Sequence, residues 1–67
     1  MDIAEIKSRA NRQPFRAFAI KLENGDLVPV TGESELLFPK TQPDLVIAFT
    51  NGGHWTFEAV AVSAILE

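Results

Sequence analysis

From Phe18 to Glu23 the chain alternates, with Phe18, Ile20 and Leu22 on one face of an extended strand and Ala19, Lys21 and Glu23 on the other. After Gly25 the apolar positions resume at Val28 and Val30, so Glu23-Asn24-Gly25 marks a hairpin reversal. Its register follows from counting. A two-residue loop sets Ile20 against Pro29 and Phe18 against Thr31, which leaves the apolar face without partners. A three-residue loop sets Ile20 against Val28 and Phe18 against Val30, with Gly25 at the left-handed position such loops need. The three-residue loop is the expectation. A slip of one residue would turn every core side chain outward.

Asn51-Gly52-Gly53 is a second reversal between apolar runs. Read again as a three-residue loop, it places Phe49 opposite Trp55, Ile47 opposite Phe57, and Thr50 opposite His54. Aromatic and β-branched pairs of this kind stabilise a sheet by roughly 0.2–1 kcal/mol each. Between the hairpins, Gly32 to Asp44 holds Leu36, Leu37 and Phe38, then Pro39 and Pro43. That pattern predicts an irregular crossing with at most a short strand around Leu36–Phe38 and a proline-marked loop after it. The tail predicts a tight turn near Glu58–Ala61 followed by a closing strand from Val62 to Leu66.

The opening segment has a different period. Ile3, Ile6 and Ala10 fall at i, i+3 and i+7, one narrow helical stripe. Asp2 is a capping residue, and Glu5 stands where it can return a hydrogen bond to the cap. Pro14 bars continuation and pushes Gln13 out of helical geometry. About three turns do not hold alone in water, so this helix must dock. The expected fold is therefore mainly β with one N-terminal helix, α+β in broad terms, in a single domain spanning 1–67. Its elements are a helix over 2–12 and strands over 17–23, 26–31, 45–50, 54–58 and 62–66. A small five-stranded antiparallel barrel is preferred over an open sheet, because closure removes exposed edges.

The run from Gln13-Pro14-Phe15 through Phe18, Ile20 and Leu22 to Asn24-Gly25 resembles the opening of a group of short bacterial proteins with a QPFxxFxIxLx(D/N)G pattern. In that run the group's second proline is replaced here by Ala17, and the chain ends Ile65-Leu66-Glu67. The group brings no assigned activity with it. More loosely, the N-terminal helix and the Ala19 to Gly25 strand and turn are similar to the Sm-like barrel family, which includes the bacterial RNA chaperone, and to SH3-like barrels in general. That resemblance implies a small barrel and ring-forming association. The family's RNA-binding segments carry basic residues near the last two strands, whereas His54 to Glu67 here contains no Lys or Arg.

Composition narrows the role further. A 67-residue chain buries only about 60% of its unfolded surface and commonly needs reinforcement. It has no cysteine, hence no disulfide and no thiolate metal site, and its one histidine does not make an ordinary zinc site. Self-association is the reinforcement left. Val46-Ile47-Ala48-Phe49 and Val60 to Leu66 carry apolar or small residues on both faces, and a small barrel has an inside for only one of them. Absence of cysteine fits a reducing compartment. No cationic and apolar leader pattern follows Met1, and no apolar run approaches ~18 residues, so a cytoplasmic protein without membrane contact is expected.

Candidate chemistry is sparse. Five of the six basic residues lie between Lys7 and Lys21, and Arg9, Arg12, Arg16 and Lys21 form a basic side that could contact phosphate. The simpler reading is a solvated helix face on which Glu5 pairs with Arg9. A net charge of −3 argues against nucleic acid as the partner. His54 is either a proton shuttle or an exposed strand end, and its place beside a glycine turn favours the second. The six aromatic residues read as core, with Trp55 the best exception, so Trp55 and His54 together are the candidate small-ligand contacts. The chain has no cysteine or tyrosine, and Ser8, Ser34 and Ser63 lack a nucleophile's context. The sequence thus predicts a non-enzymatic module without cofactor or metal, homo-oligomeric and open to an unidentified protein partner.

Overall fold

A computed structural model describes residues 1–32 and 34–67. Helix α1 spans Ile3–Ala10. Asp2 caps it, Oδ1 accepting from the Ala4 amide at 3.2 Å, and Asn11 closes it by donating its amide to the Lys7 carbonyl at 3.0 Å. Glu5 in the first turn and Lys7 and Arg9 in the last suit the helix dipole. The helix is shorter than the expected 2–12. Pro14 has no N–H to offer the Ala10 carbonyl, so α1 ends there. Ile6 and Ala10 are buried and Ile3 is half-buried, the stripe the spacing predicts.

Strands β1, Phe18–Leu22, and β2, Leu27–Val30, form the first hairpin with Ile20 opposite Val28 and Phe18 opposite Val30. The loop is the expected three residues. Leu22 donates to the Asp26 carbonyl and Gly25 to the Leu22 carbonyl, each at 2.9 Å, while Gly25 takes a φ of 95°. Asn24 Oδ1 accepts from the Asp26 amide at 2.9 Å and stiffens the turn.

The second hairpin corrects the expectation. Strands β4, Leu45–Thr50, and β5, Gly53–Glu58, pair Thr50 with Gly53, Phe49 with His54, Ala48 with Trp55, and Val46 with Phe57. The loop is therefore two residues, Asn51 and Gly52, and the expected pairs Phe49–Trp55, Ile47–Phe57 and Thr50–His54 do not form. Turn chemistry decides this. Gly52 holds a φ of 92° at the second loop position, where a type II turn needs a left-handed residue, and Gly53 joins the strand. Val46 and Ala48 become the core residues of β4, and Ile47 faces the other way.

A two-residue strand β3, Leu36–Leu37, pairs with β4, placing Leu36 opposite Ala48 and Leu37 opposite Ile47. Glu33, inside the expected irregular crossing, lies outside the described residues. After β5 a 3-10 turn, Ala59–Ala61, occupies the expected tight turn, and β6, Val62–Leu66, returns to pair with β1. The result is two three-stranded antiparallel sheets, β2-β1-β6 and β3-β4-β5. Among the described residues, six strands in two open sheets replace the expected closed five-stranded barrel. The 3-10 turn is the physical reason on one side, since the Ala61 carbonyl accepts from the Glu23 amide of the first sheet rather than continuing a β5 to β6 ladder. On the other side, the crossing after Val30 separates β2 from β3.

The sheets share one core. Ile6, Phe18, Ile20, Leu22, Val28 and Val30 meet Val46, Ala48 and Phe57, with Ala59 and Val62 completing the cluster. Phe15 and Phe38 pack against its margin, and Lys7 Nζ lies 5.6 Å over the Phe38 ring, so the helix is pinned there by a cation–π contact. The N-terminal amine donates to the carbonyls of Ala59 at 3.0 Å and Val62 at 3.2 Å, fixing the start of α1 to the 3-10 turn.

Candidate interaction surfaces

The basic side folds onto a single carboxylate. Arg9 Nη1 pairs with Glu67 Oε2, and Arg12 Nη2 stands 2.6 Å from Glu67 Oε1. The hydrogen-bonding contact with Arg12 holds the Glu67 carboxyl below the usual glutamate range, against a smaller opposing effect of desolvation, and the charges of Arg12, Arg9 and Arg16 add to it. Arg9 thus pairs with Glu67, just past the end of β6, rather than with Glu5. Arg12 Nε is buried without a hydrogen-bond partner. Lys21 is not part of this group by register, since it lies on the exposed face of β1 across from Leu27 and Ala64. The structure therefore brings Arg9 and Arg12 onto Glu67, with the charge of Arg16 felt there but making no ion pair among the described residues, and puts Lys21 on a sheet face.

His54 and Trp55 separate. Alternation along β5 sends them to opposite faces of the sheet. His54 is exposed and pairs across the strands with Phe49, ring centroids 6.3 Å apart and tilted by 48°. Its neighbour is aromatic where Thr50 was expected. Trp55 lies opposite Ala48, toward the end of the core face, and stays 37% exposed. One cavity cannot be lined by both. Among the described residues, no three His, Asp or Glu side chains gather as a metal site, and no helix is long and apolar enough to cross a membrane. Comparison with known proteins returns no matching family model, no similar curated protein and no similar solved structure.

An open groove of about 530 Å³ runs between Pro29 and Thr31 on one sheet and Phe49, Thr50 and Asn51 on the other, with Glu35 at its side. The Glu35 carboxylate is already engaged, accepting from the Thr31 amide at 3.0 Å and the Thr31 hydroxyl at 3.2 Å. Its backbone carbonyl accepts from the Phe49 amide at 2.8 Å. These bonds make the groove a joint between the sheets.

Among the described residues, β3-β4-β5 presents two open surfaces. The first is the free edge of β5. Gly53 to Thr56 are all exposed, and the strand contains no proline, lysine or arginine. The β2 edge carries Pro29, and β3 is only two residues long, both ordinary ways to blunt an edge, whereas β6, the other edge of the first sheet, is five residues long and has neither device. The second is the outer face of β3-β4-β5, where Leu37 is 49% and Phe49 45% exposed beside half-buried Leu45 and Ile47; Leu27 and Leu66 are as exposed on the outer face of β2-β1-β6, but they stand apart, with Lys21 on the strand between them. The sequence reading left Leu37 and Phe49 out of the candidate set, although its signal was visible as apolar residues on both faces of Val46–Phe49.

Proposed function

We propose that this chain is a non-enzymatic small β domain that associates with copies of itself and serves as a protein-interaction module. The observation that carries this reading is the open β5 edge, a strand end from Gly53 to Thr56 that is exposed and holds no charge or proline before Glu58, so its outward backbone groups are free to pair with another strand. A core drawn from so short a chain gains from any further burial. We read the architecture as an opened relative of the Sm-like and SH3-like barrels: a helix, a hairpin, a crossing, a second hairpin, and a 3-10 turn leading to a last strand that returns to β1. In this reading the protein works in the cytoplasm.

Size-exclusion chromatography with light scattering tests the proposal directly. A mass above that of one chain, rising with concentration, is the expected result. A clean monomer at high micromolar concentration overturns it.

A second reading, nucleic-acid binding through Arg9, Arg12, Arg16 and Lys21, draws support from the meeting of Arg9 and Arg12 at one place. Glu67 offsets part of that charge. A titration with short RNA and DNA at low salt separates the readings, since binding that is absent or insensitive to doubling the salt removes the second one.

A further inference from the structure

The outer face of β3-β4-β5 has an internal order that the β5 edge does not. Cross-strand partners stand side by side on one face, so register lays out its rows. Leu45 lies beside Glu58, Ile47 beside Thr56, and Phe49 beside His54, with Leu37 flanking Ile47 in the middle row. The apolar residues of β4 form one column. The polar residues of β5 form another, with a carboxylate at one end and an imidazole at the other.

We infer that this face docks on the same face of a second copy, through a two-fold axis that crosses the strands above the Ile47–Thr56 row. The inference rests on the self-association proposed above and names a surface for it. A rotation about that axis reverses the strand direction and keeps β4 over β4 and β5 over β5. Ile47 then meets Ile47 of the copy, Leu37 meets Leu37, and Phe49 meets Leu45. At the ends, the His54 imidazole N–H, a donor, meets the Glu58 carboxylate, an acceptor, and the same bond repeats at the symmetric position. The opposite choice fails chemically. A two-fold axis along the strands carries the polar column of β5 over Leu37 or over the apolar column of β4. Charge and polarity therefore select both the occupant, a second copy, and the orientation. Such a contact is isologous, as closed two-fold dimers require, and it is a sheet-on-sheet packing at about 10 Å separation.

Its area is modest. A three-stranded face offers less than the roughly 800 Å² per partner of a standard interface, so the dimer depends on concentration.

The test uses the full chain. Sedimentation equilibrium gives the dissociation constant of the wild type, of Ile47→Lys, of His54→Glu, and of the double exchange His54→Glu with Glu58→His. Ile47→Lys buries a charge at the axis and is expected to weaken association by about tenfold or more. His54→Glu sets two carboxylates against each other at each end and weakens it as well. The double exchange swaps donor and acceptor and restores association, because the two-fold pairs position 54 only with position 58. His54 and Glu58 are exposed, so these two substitutions answer the question even if Ile47→Lys fails to fold. Position 56 gives a second measurement. The chain has no cysteine, so Thr56→Cys supplies a single thiol near the axis, and a short bismaleimide is expected to link it to its symmetry mate, whereas Leu27→Cys on the other sheet stays unlinked. Wild type that associates while all three face variants associate equally, with no cross-link at position 56, overturns the face and leaves self-association through the strand edge standing. Wild type that never associates overturns both.

Discussion

The two hairpins are built from similar material and divide it differently. In β1–β2 one face is buried and the other is open to water: Phe18, Ile20, Val28 and Val30 are inside, while Lys21, Leu27 and Pro29 are out. In β4 the inner face takes the smaller residues Val46 and Ala48, set against Phe57 and the partly exposed Trp55 of β5, and the outer face keeps the larger β4 residues Leu45, Ile47 and Phe49. The first hairpin buries one face and leaves the other to water with a single large apolar side chain, Leu27, beside Lys21. The second leaves a continuous apolar column outside, and the association proposed above would use that remainder. The two hairpins are distinguished by how much apolar surface the outer face of each retains.

The sharpest way to break this contrast is to remove equal side chains from the two. Ile20 is wholly buried on the first hairpin and Ile47 is half-buried on the outer face of the second. Ile20→Ala is expected to cost about 2–5 kcal/mol, most of the stability of a domain this size. Ile47→Ala, measured in dilute solution where the chain is monomeric, is expected to cost less, about 1–2 kcal/mol, because its side chain is only partly withdrawn from water within one copy and its loss leaves no enclosed cavity. Urea midpoints give both numbers. Equal losses would show that Ile47 belongs to the core after all.

The turns provide a finer test. A Cβ added at Gly25, Gly52 or Gly53 meets nothing within 4 Å, so space does not distinguish them and backbone conformation does. Gly25 and Gly52 have φ of 95° and 92°, and Gly53 is not among the positive-φ residues. Gly25→Ala and Gly52→Ala are each expected to cost about 1–2 kcal/mol. Gly53→Ala is expected to be neutral or stabilising by up to about 1 kcal/mol, through the lower entropy of its unfolded chain. If Gly53→Ala proves costly and Gly52→Ala harmless, the second loop has three residues and the faces of β4 are reversed.

This asymmetry also explains what could be read in advance. The first turn has one glycine, so only one residue can take the left-handed position, and the polar outer face of β1 confirms the register that it sets. The second has Gly52 and Gly53 in tandem, and each supports a different loop length. Apolar patterning does not arbitrate, because Leu45, Ile47 and Phe49 compete with Val46 and Ala48 for the same core. Helix α1, its cap and its stripe were legible because Asp2, Ile6 and Ala10 act locally. The arginine cluster was legible only in part. Its partner Glu67 lies 58 residues from Arg9, a distance over which spacing carries no information. Closure into a barrel was misjudged for a similar reason: whether β5 continues into β6 depends on where the Ala61 carbonyl finds its donor, and that donor is Glu23.

The smallest expected effect concerns the first sheet alone. Both ion pairs seen among the described residues run from α1 and the segment after it to Glu67, beyond the end of β6. They tie the helix to β2-β1-β6 and leave β3-β4-β5 untouched. The Glu67 carboxyl titrates lower when folded than when unfolded, chiefly through Arg12. A carboxylate with a depressed folded pKa stabilises the protein above its unfolded value, and that contribution disappears as pH falls through the folded value. The window therefore lies on the acid side of an ordinary glutamate. The side chain is exposed and solvent screens it, so the whole effect is small. Arg12→Ala is expected to return the Glu67 pKa toward the ordinary value and to flatten the acid dependence of stability over that window. Following the Glu67 carboxyl carbon by NMR gives the first, and urea midpoints through the acid range give the second. During the titration, amides of Ala64 to Leu66 should move with Glu67 while those of Ile47 to Phe49 stay still. Movement of both sets together would mean that the sheets respond as one body, and the division of labour between the hairpins would not survive it.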